Sequence, residues 1–139
     1  MSEAEAPAAR PDIDIRADVE EFIVHYPPTN NDRFHLDVDV RNGVVILSGY
    51  VKTLNTHDYL LGNLPTIKGI AGVQTDRLYI DEQIRLEVGQ VIPAGVNVNV
   101  EYGVVVLTGK LTEDASEDRF VGRIASIPGV NRVITALRD

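Results

Sequence analysis

From Asp18 onward the apolar residues Val19, Phe22, Ile23 and Tyr26 recur three and four positions apart, the spacing of one helix face. Pro27-Pro28 follows. Proline lacks an amide hydrogen and its ring clashes with the preceding turn, so the helix is expected to stop there and "TNNDR" to form a polar loop. The period then drops to two. Leu36, Val38 and Val40 alternate with Asp37, Asp39 and Arg41, as in a strand with one wet face. Asn42-Gly43 marks a two-residue type I′ turn, in which both central residues need positive φ. "VVILSG" is the return strand, apolar on both faces as a central strand should be. Residues 54–67 return to helical spacing through Leu60, Leu61, Leu64 and Ile67, with Gly69 as the stop, and residues 70–80 read as a last strand.

Shifting the chain by sixty positions superposes it on itself. Val38, Val40, Gly43, Val44, Val45, Leu47 and Gly49 land on Val98, Val100, Gly103, Val104, Val105, Leu107 and Gly109. Asp58, Gly62, Ile67, Gly69 and Val73 land on Asp118, Gly122, Ile127, Gly129 and Val133. Coincidence of glycines, helix face and strand face together marks an internal duplication. Ile84, Leu86, Val88, Val91 and Ile92 supply the second unit's first helix, and the alignment fails where "YPPTNNDRFH" meets the shorter "IPAG". The expected fold is α+β: two tandem αββαβ units, each a three-stranded mixed sheet packed on two helices. Residues 1–11 are expected to be a disordered tail, 12–80 the first unit and 81–139 the second.

A two-residue turn at Asn42-Gly43 sets Val40 against Val45 and Val38 against Leu47, with Arg41 against Val44 and Asp39 against Ile46. One sheet face is then wholly apolar and carries the helices. A right-handed crossover makes the third strand parallel to the return strand. Each unit buries only about 60 % of its unfolded surface, so docking of one unit on the other is expected. The half-apolar outer faces, with Val44 and Ile46 in one unit and Val104 and Val106 in the other, are candidates for that interface, about a pseudo-two-fold axis, or for a partner surface.

Composition narrows the chemistry. The chain has 139 residues, 44 % of them hydrophobic, and no Cys, which removes disulfides, thiolate metal sites and thiol nucleophiles. A formal net charge of −8 opposes nucleic-acid phosphates and anionic headgroups at long range, so no nucleic-acid partner is expected. No apolar stretch reaches the ~18 residues that cross a bilayer. "MSEAEAPAARP" has neither a basic n-region nor an apolar h-region. The expected location is cytoplasmic if Met1 is the native start, and periplasmic or envelope if an export signal has been removed.

Few residues point to chemistry. "GVVVLTGKL" is not a phosphate loop: five residues separate Gly103 from Gly109 where four are needed, and Leu111 stands where Ser or Thr would bind Mg²⁺. Turn and strand-end geometry accounts for Gly43, Gly49, Gly69, Gly103, Gly109 and Gly129. His25, His35 and His57 show no metal-ligand spacing, and no nucleophile is marked, so neither catalysis nor a cofactor is expected. Asp37 and Asp39 share a strand face and are a weak cation candidate, read first as a solvated face. Arg119 and Arg123, one helical turn apart, with Arg132 nearby, could meet anionic headgroups or a partner. Glu113, Asp114, Glu117 and Asp118 crowd the same helix start, where the helix dipole favours acids.

The string V-x-V-x-x-G-V-V-x-L-(S/T)-G, then a helix, then G-(I/V)-x-x-V, resembles the BON domain. Val38, Val40, Gly43 to Gly49, Gly69, Ile70 and Val73 carry it, and Val98, Val100, Gly103 to Gly109, Gly129, Val130 and Val133 repeat it. The resemblance implies a three-stranded mixed sheet against two antiparallel helices and a non-enzymatic binding or scaffold module. Within that class the acidic charge and the lack of an export signal in this sequence make protein interaction or self-association the first expectation, in a stress-related setting. A phospholipid-associated osmotic-stress protein at a membrane surface and a potassium- or calcium-sensing module are the alternatives.

Overall fold

The computed structural model describes residues 10–112 and 115–138. Most of the tail expected at 1–11, namely 1–9, lies outside the described residues, as do Glu113 and Asp114. The first unit runs α1 (Asp12–His25), α2 (Pro27–Asp32), a 3₁₀ turn at Arg33–His35, β1 (Leu36–Arg41), β2 (Val44–Val51), α3 (Leu54–Asn63) with a 3₁₀ turn at Leu64–Thr66, and β3 (Gly72–Ile80). The second runs α4 (Asp81–Gly89), β4 (Val96–Glu101), β5 (Val104–Lys110), α5 (Glu117–Ala125) and β6 (Arg132–Arg138). Two three-stranded sheets result, ordered β1-β2-β3 and β4-β5-β6.

The hairpin register is the one that the turn dictates: Val40 pairs with Val45, Val38 with Leu47 and Arg41 with Val44, and β3 lies parallel to β2. The second sheet repeats this with Val100 opposite Val105 and β6 parallel to β5. One irregularity separates the two. A bulge at residues 75–76 shifts the β2–β3 register between Ile46 and Ser48, whereas β5 and β6 pair without interruption from Val104–Arg132 to Lys110–Arg138.

Two expectations need correcting. The stretch after Pro27 is a helix rather than a polar loop. Proline is tolerated at a first helical position because its missing amide has no partner there anyway, and the buried Thr29 hydroxyl donates to the carbonyls of Ile23 (2.6 Å) and Tyr26 (2.9 Å), lashing α2 to the end of α1. Leu86 points outward, 67 % exposed, because it stands two positions from both Ile84 and Val88 and so on the far side of α4, and Val91 and Ile92 reach the core from beyond the helix end at Gly89.

Each unit opens its first helix with an aspartate that clamps its own hairpin. Asp12 accepts the amides of Asn42 and Gly43, both at 2.9 Å. Asp81 accepts those of Tyr102 (2.6 Å) and Gly103 (3.0 Å). The turn residues have φ of 52° and 81° in the first unit and 48° and 80° in the second, so a tyrosine occupies the left-handed region that Asn fills more readily.

The cores are unequal. Among the described residues thirteen hydrophobic side chains are buried in the first, including Ile15, Val19, Leu47, Leu60 and Leu64. The second, among the described residues, buries seven of its own, chiefly Ile84, Val88, Val105, Leu107, Phe120 and Ile124, with half-buried residues of its own around them and Tyr50 and Tyr79 of the first unit packed against them.

Candidate functional site

The densest group of polar and aromatic side chains lies where the units meet. β3 passes into α4 with no intervening residue, Ile80 to Asp81, so the second unit begins on the end of the first unit's sheet. The Glu82 amide donates to the Lys52 carbonyl (3.1 Å), and its carboxylate accepts the Leu54 amide (3.2 Å). Tyr50 and Tyr79 are neighbours across β2 and β3 on the outer face, with ring centroids 5.9 Å apart. Tyr50 donates its hydroxyl to the Gly129 carbonyl at 2.6 Å. Its ring lies where a side chain on Gly103 would stand, and a Cβ on Gly129 would come within 2.7 Å of the Tyr79 ring.

The hairpin tip of the second unit reaches back. Tyr102 stacks on His35 at 3.6 Å between centroids and 7° between planes, and its hydroxyl donates to Asp32 at 2.8 Å. Lys52 Nζ stands 5.2 Å from the Tyr102 ring centroid, close enough for a cation–π contribution. Asp32, 2 % exposed, also accepts the Lys52 amide at 3.3 Å. Burial, then the bond to Asp32 and the charges of Asp32, Asp81 and Glu101, push the Tyr102 hydroxyl well above the ordinary phenol range. Tyr50 is raised by burial and then by Tyr79 and Asp81. Asp81 is raised by burial, against the pull of its two amide donors.

This contact is heterologous. In a two-fold pair the same positions of both units would face each other. Here Tyr50 and Tyr79 of one sheet end meet Gly103 and Gly129 at the opposite end of the other. The expected pseudo-two-fold docking through the sheet faces is therefore corrected: Val44, Ile46, Val104 and Val106 are half-buried but belong to neither core nor joint. Glycines read as turn and strand-end residues alone have a second role, since Gly103 and Gly129 make room for tyrosine rings.

The remaining candidates are dispersed. Arg119 and Arg123 come together beside Val91, Pro93 and Phe120 around a hollow of about 240 Å³, but Arg132 sits on β6 opposite Val104 and does not line it. Asp39 spends its oxygens on Arg41 (2.9 Å) and the Val40 amide (2.9 Å), and Asp37 is exposed. Among the described residues no group of three His, Asp or Glu is placed to hold a metal. A cleft of about 500 Å³ runs along the joint between Tyr26, Asn31, Lys52 and Tyr102.

Comparison with known proteins now bears on this arrangement. The family model of the BON domain matches residues 11–77 and again 80–138. A sequence comparison with curated proteins gives no match. Among solved structures, the chain is similar to CdsD, a structural protein of the type III secretion system of Chlamydia trachomatis, at TM-score 0.73 and 20 % identity over 92 % of this chain and 63 % of that one. A structure of the CdsD C-terminal domain gives TM-score 0.70 and 18 % identity, over 92 % of this chain and 66 % of that one. The chain thus spans just under two thirds of either, and identities this low speak to fold.

Proposed function

The chain belongs to the BON domain family, carrying the domain twice in tandem, and from that premise we propose that it is a non-enzymatic assembly module whose two domains act as one rigid piece and present their outer surfaces to a protein partner. One observation carries this reading. The buried titratable side chains among the described residues are consumed as structure: Asp81 clamps the second unit's hairpin through two amides, and Asp32 accepts the Lys52 amide and, across the joint, the Tyr102 hydroxyl. His35, stacked on Tyr102, is likewise part of the joint. What the joint leaves free is surface. The similarity to CdsD, described as a structural protein of a secretion system, supports an assembly role.

A second reading, contact with a phospholipid surface in a stress response, is favoured by Arg119 and Arg123 standing side by side over the apolar floor of Val91, Pro93 and Phe120. Photo-crosslinkers placed in cells at Val44, Val104 and Arg123, run alongside flotation with anionic vesicles at physiological salt, separate the two. The assembly reading expects a discrete protein adduct from at least one position and no co-flotation. Co-flotation abolished by Arg119→Glu with Arg123→Glu, without an adduct, transfers the function to the second reading. Neither adduct nor flotation overturns both.

A further inference from the structure

Each sheet has two edges, and they are protected unequally. β1 and β4 have α1 and α4 packed against them. β3 carries the bulge at residues 75–76, and a bulge twists an edge out of shape for pairing. β6 has no bulge, and α5 packs against it less closely than α1 and α4 pack against β1 and β4. It is seven residues long, "RVITALR", in uninterrupted register with β5, without proline or inward-pointing charge. Among the described elements, no strand pairs with its far side. Its composition favours extended backbone, and such an edge presents a row of amides and carbonyls to any strand that approaches.

Charge selects among possible occupants. β6 begins and ends with arginine, and Lys110 lies opposite Arg138. Arg119 and Arg123 add to the same half of the domain. β5, α5 and β6 thus hold five of the six basic residues between 81 and 138, while the acids of the stretch 110–139, namely Glu113, Asp114, Glu117, Asp118 and Asp139, all lie outside β6 in the sequence. Among the described residues none of the five is in an ion pair. A second copy of β6 laid antiparallel about Thr135 would set Arg132 against Arg138 twice, and like charges directly opposite oppose pairing. An extended segment with acidic residues at both ends meets those arginines favourably.

We propose that β6 is a strand-addition site for an extended, acid-flanked segment of a partner protein, held by main-chain hydrogen bonds along the free edge and by Arg132 and Arg138 at its ends. This rests on the assembly reading and names the surface that serves it.

The probe is a nine-residue synthetic peptide with alternating Val and Thr between terminal Glu residues, titrated into the isotope-labelled full chain. Amide shifts and slowed hydrogen exchange are expected along β6. Arg132→Glu with Arg138→Glu weakens binding about tenfold or more, and the milder Arg132→Gln with Arg138→Gln, checked for an unchanged melting temperature, gives an intermediate loss. A peptide with the same charges and a central proline does not bind. The proposal is overturned by equal binding of the proline peptide, which reduces it to charge attraction, or by shifts that map to the Arg119–Arg123 hollow. Absence of binding at millimolar peptide overturns it too, as does a β6-to-β6 dimer in sedimentation, which makes the occupant a second copy. A crosslinked adduct in cells together with a silent β6 sinks this proposal and leaves the assembly reading standing.

Discussion

Gly43→Ala and Gly103→Ala are the same substitution made at equivalent turns, and only one of them touches the joint. Both glycines sit at φ near +80°, so each alanine incurs the left-handed backbone penalty of roughly 1–2 kcal/mol. At Gly43 the new Cβ comes to 3.0 Å from the Gly69 carbonyl and 3.4 Å from Ala71, a tight fit within the first unit that adds to that penalty. At Gly103 it overlaps the Tyr50 ring, which must leave its seat. Overpacking adds about 1–3 kcal/mol, and loss of the bond from Tyr50 to the Gly129 carbonyl a further ~0.5–1.5 kcal/mol. Urea unfolding followed by circular dichroism should therefore show Gly103→Ala about 2 kcal/mol more costly than Gly43→Ala. In a Tyr50→Ala background the excess should vanish, since the clash and the bond have both gone. Equal costs for the two glycines, or an excess that survives Tyr50→Ala, would refute the claim that this ring seals the joint.

The other predictions use the same asymmetry. Asp81→Ala should cost about 2–3 kcal/mol in urea unfolding, because two amide hydrogen bonds to a carboxylate only 5 % exposed are lost. Asp12→Ala, with the same two bonds from a half-exposed carboxylate, should cost less. Tyr102 and Tyr50 keep their protons in the folded chain beyond the pH at which the unfolded chain loses them, so the folded state binds more protons above pH ~10 and stability falls as pH rises through that window. Tyr102→Phe and Tyr50→Phe should each make the alkaline decline shallower in melts between pH 8 and 11, and an unchanged slope would count against buried, proton-retaining hydroxyls. Residues 80–138 alone should show little ordered structure by NMR, because seven buried side chains without Tyr50 and Tyr79 make a thin core, whereas residues 10–80 should fold.

What was legible in the sequence was whatever repeats. Period-two alternation, the Asn42-Gly43 signal and the sixty-residue shift specify strands, register and parallel crossover, because local geometry and a one-sided core determine them. α2 was missed since Pro27-Pro28 reads as a stop, while the Thr29 hydroxyl that ties the next turn to α1 is a tertiary contact with no local signature. Docking of the two units is legible, but the residues that make the joint are not, for a different reason. Its residues are those at which the repeats disagree: Tyr50 against Lys110, Tyr102 against Asn42, and "YPPTNNDRFH" against "IPAG". The longer segment supplies Asp32 and His35, which grip Tyr102. Departures from the repeat are therefore the sequence signal of the joint. Arg132 lies near Arg119 and Arg123 in sequence but on a strand edge rather than their helix face, a distinction that proximity along the chain does not carry.

The central claim is that two BON domains make one cooperative body. Scanning calorimetry of the full chain tests it most directly, through the ratio of calorimetric to van't Hoff enthalpy. A single transition with a ratio near one is expected, splitting or broadening in the Tyr50→Ala, Tyr79→Ala double variant. Two resolved transitions in the unaltered chain, or one transition that the double variant leaves in place and unbroadened, would contradict it.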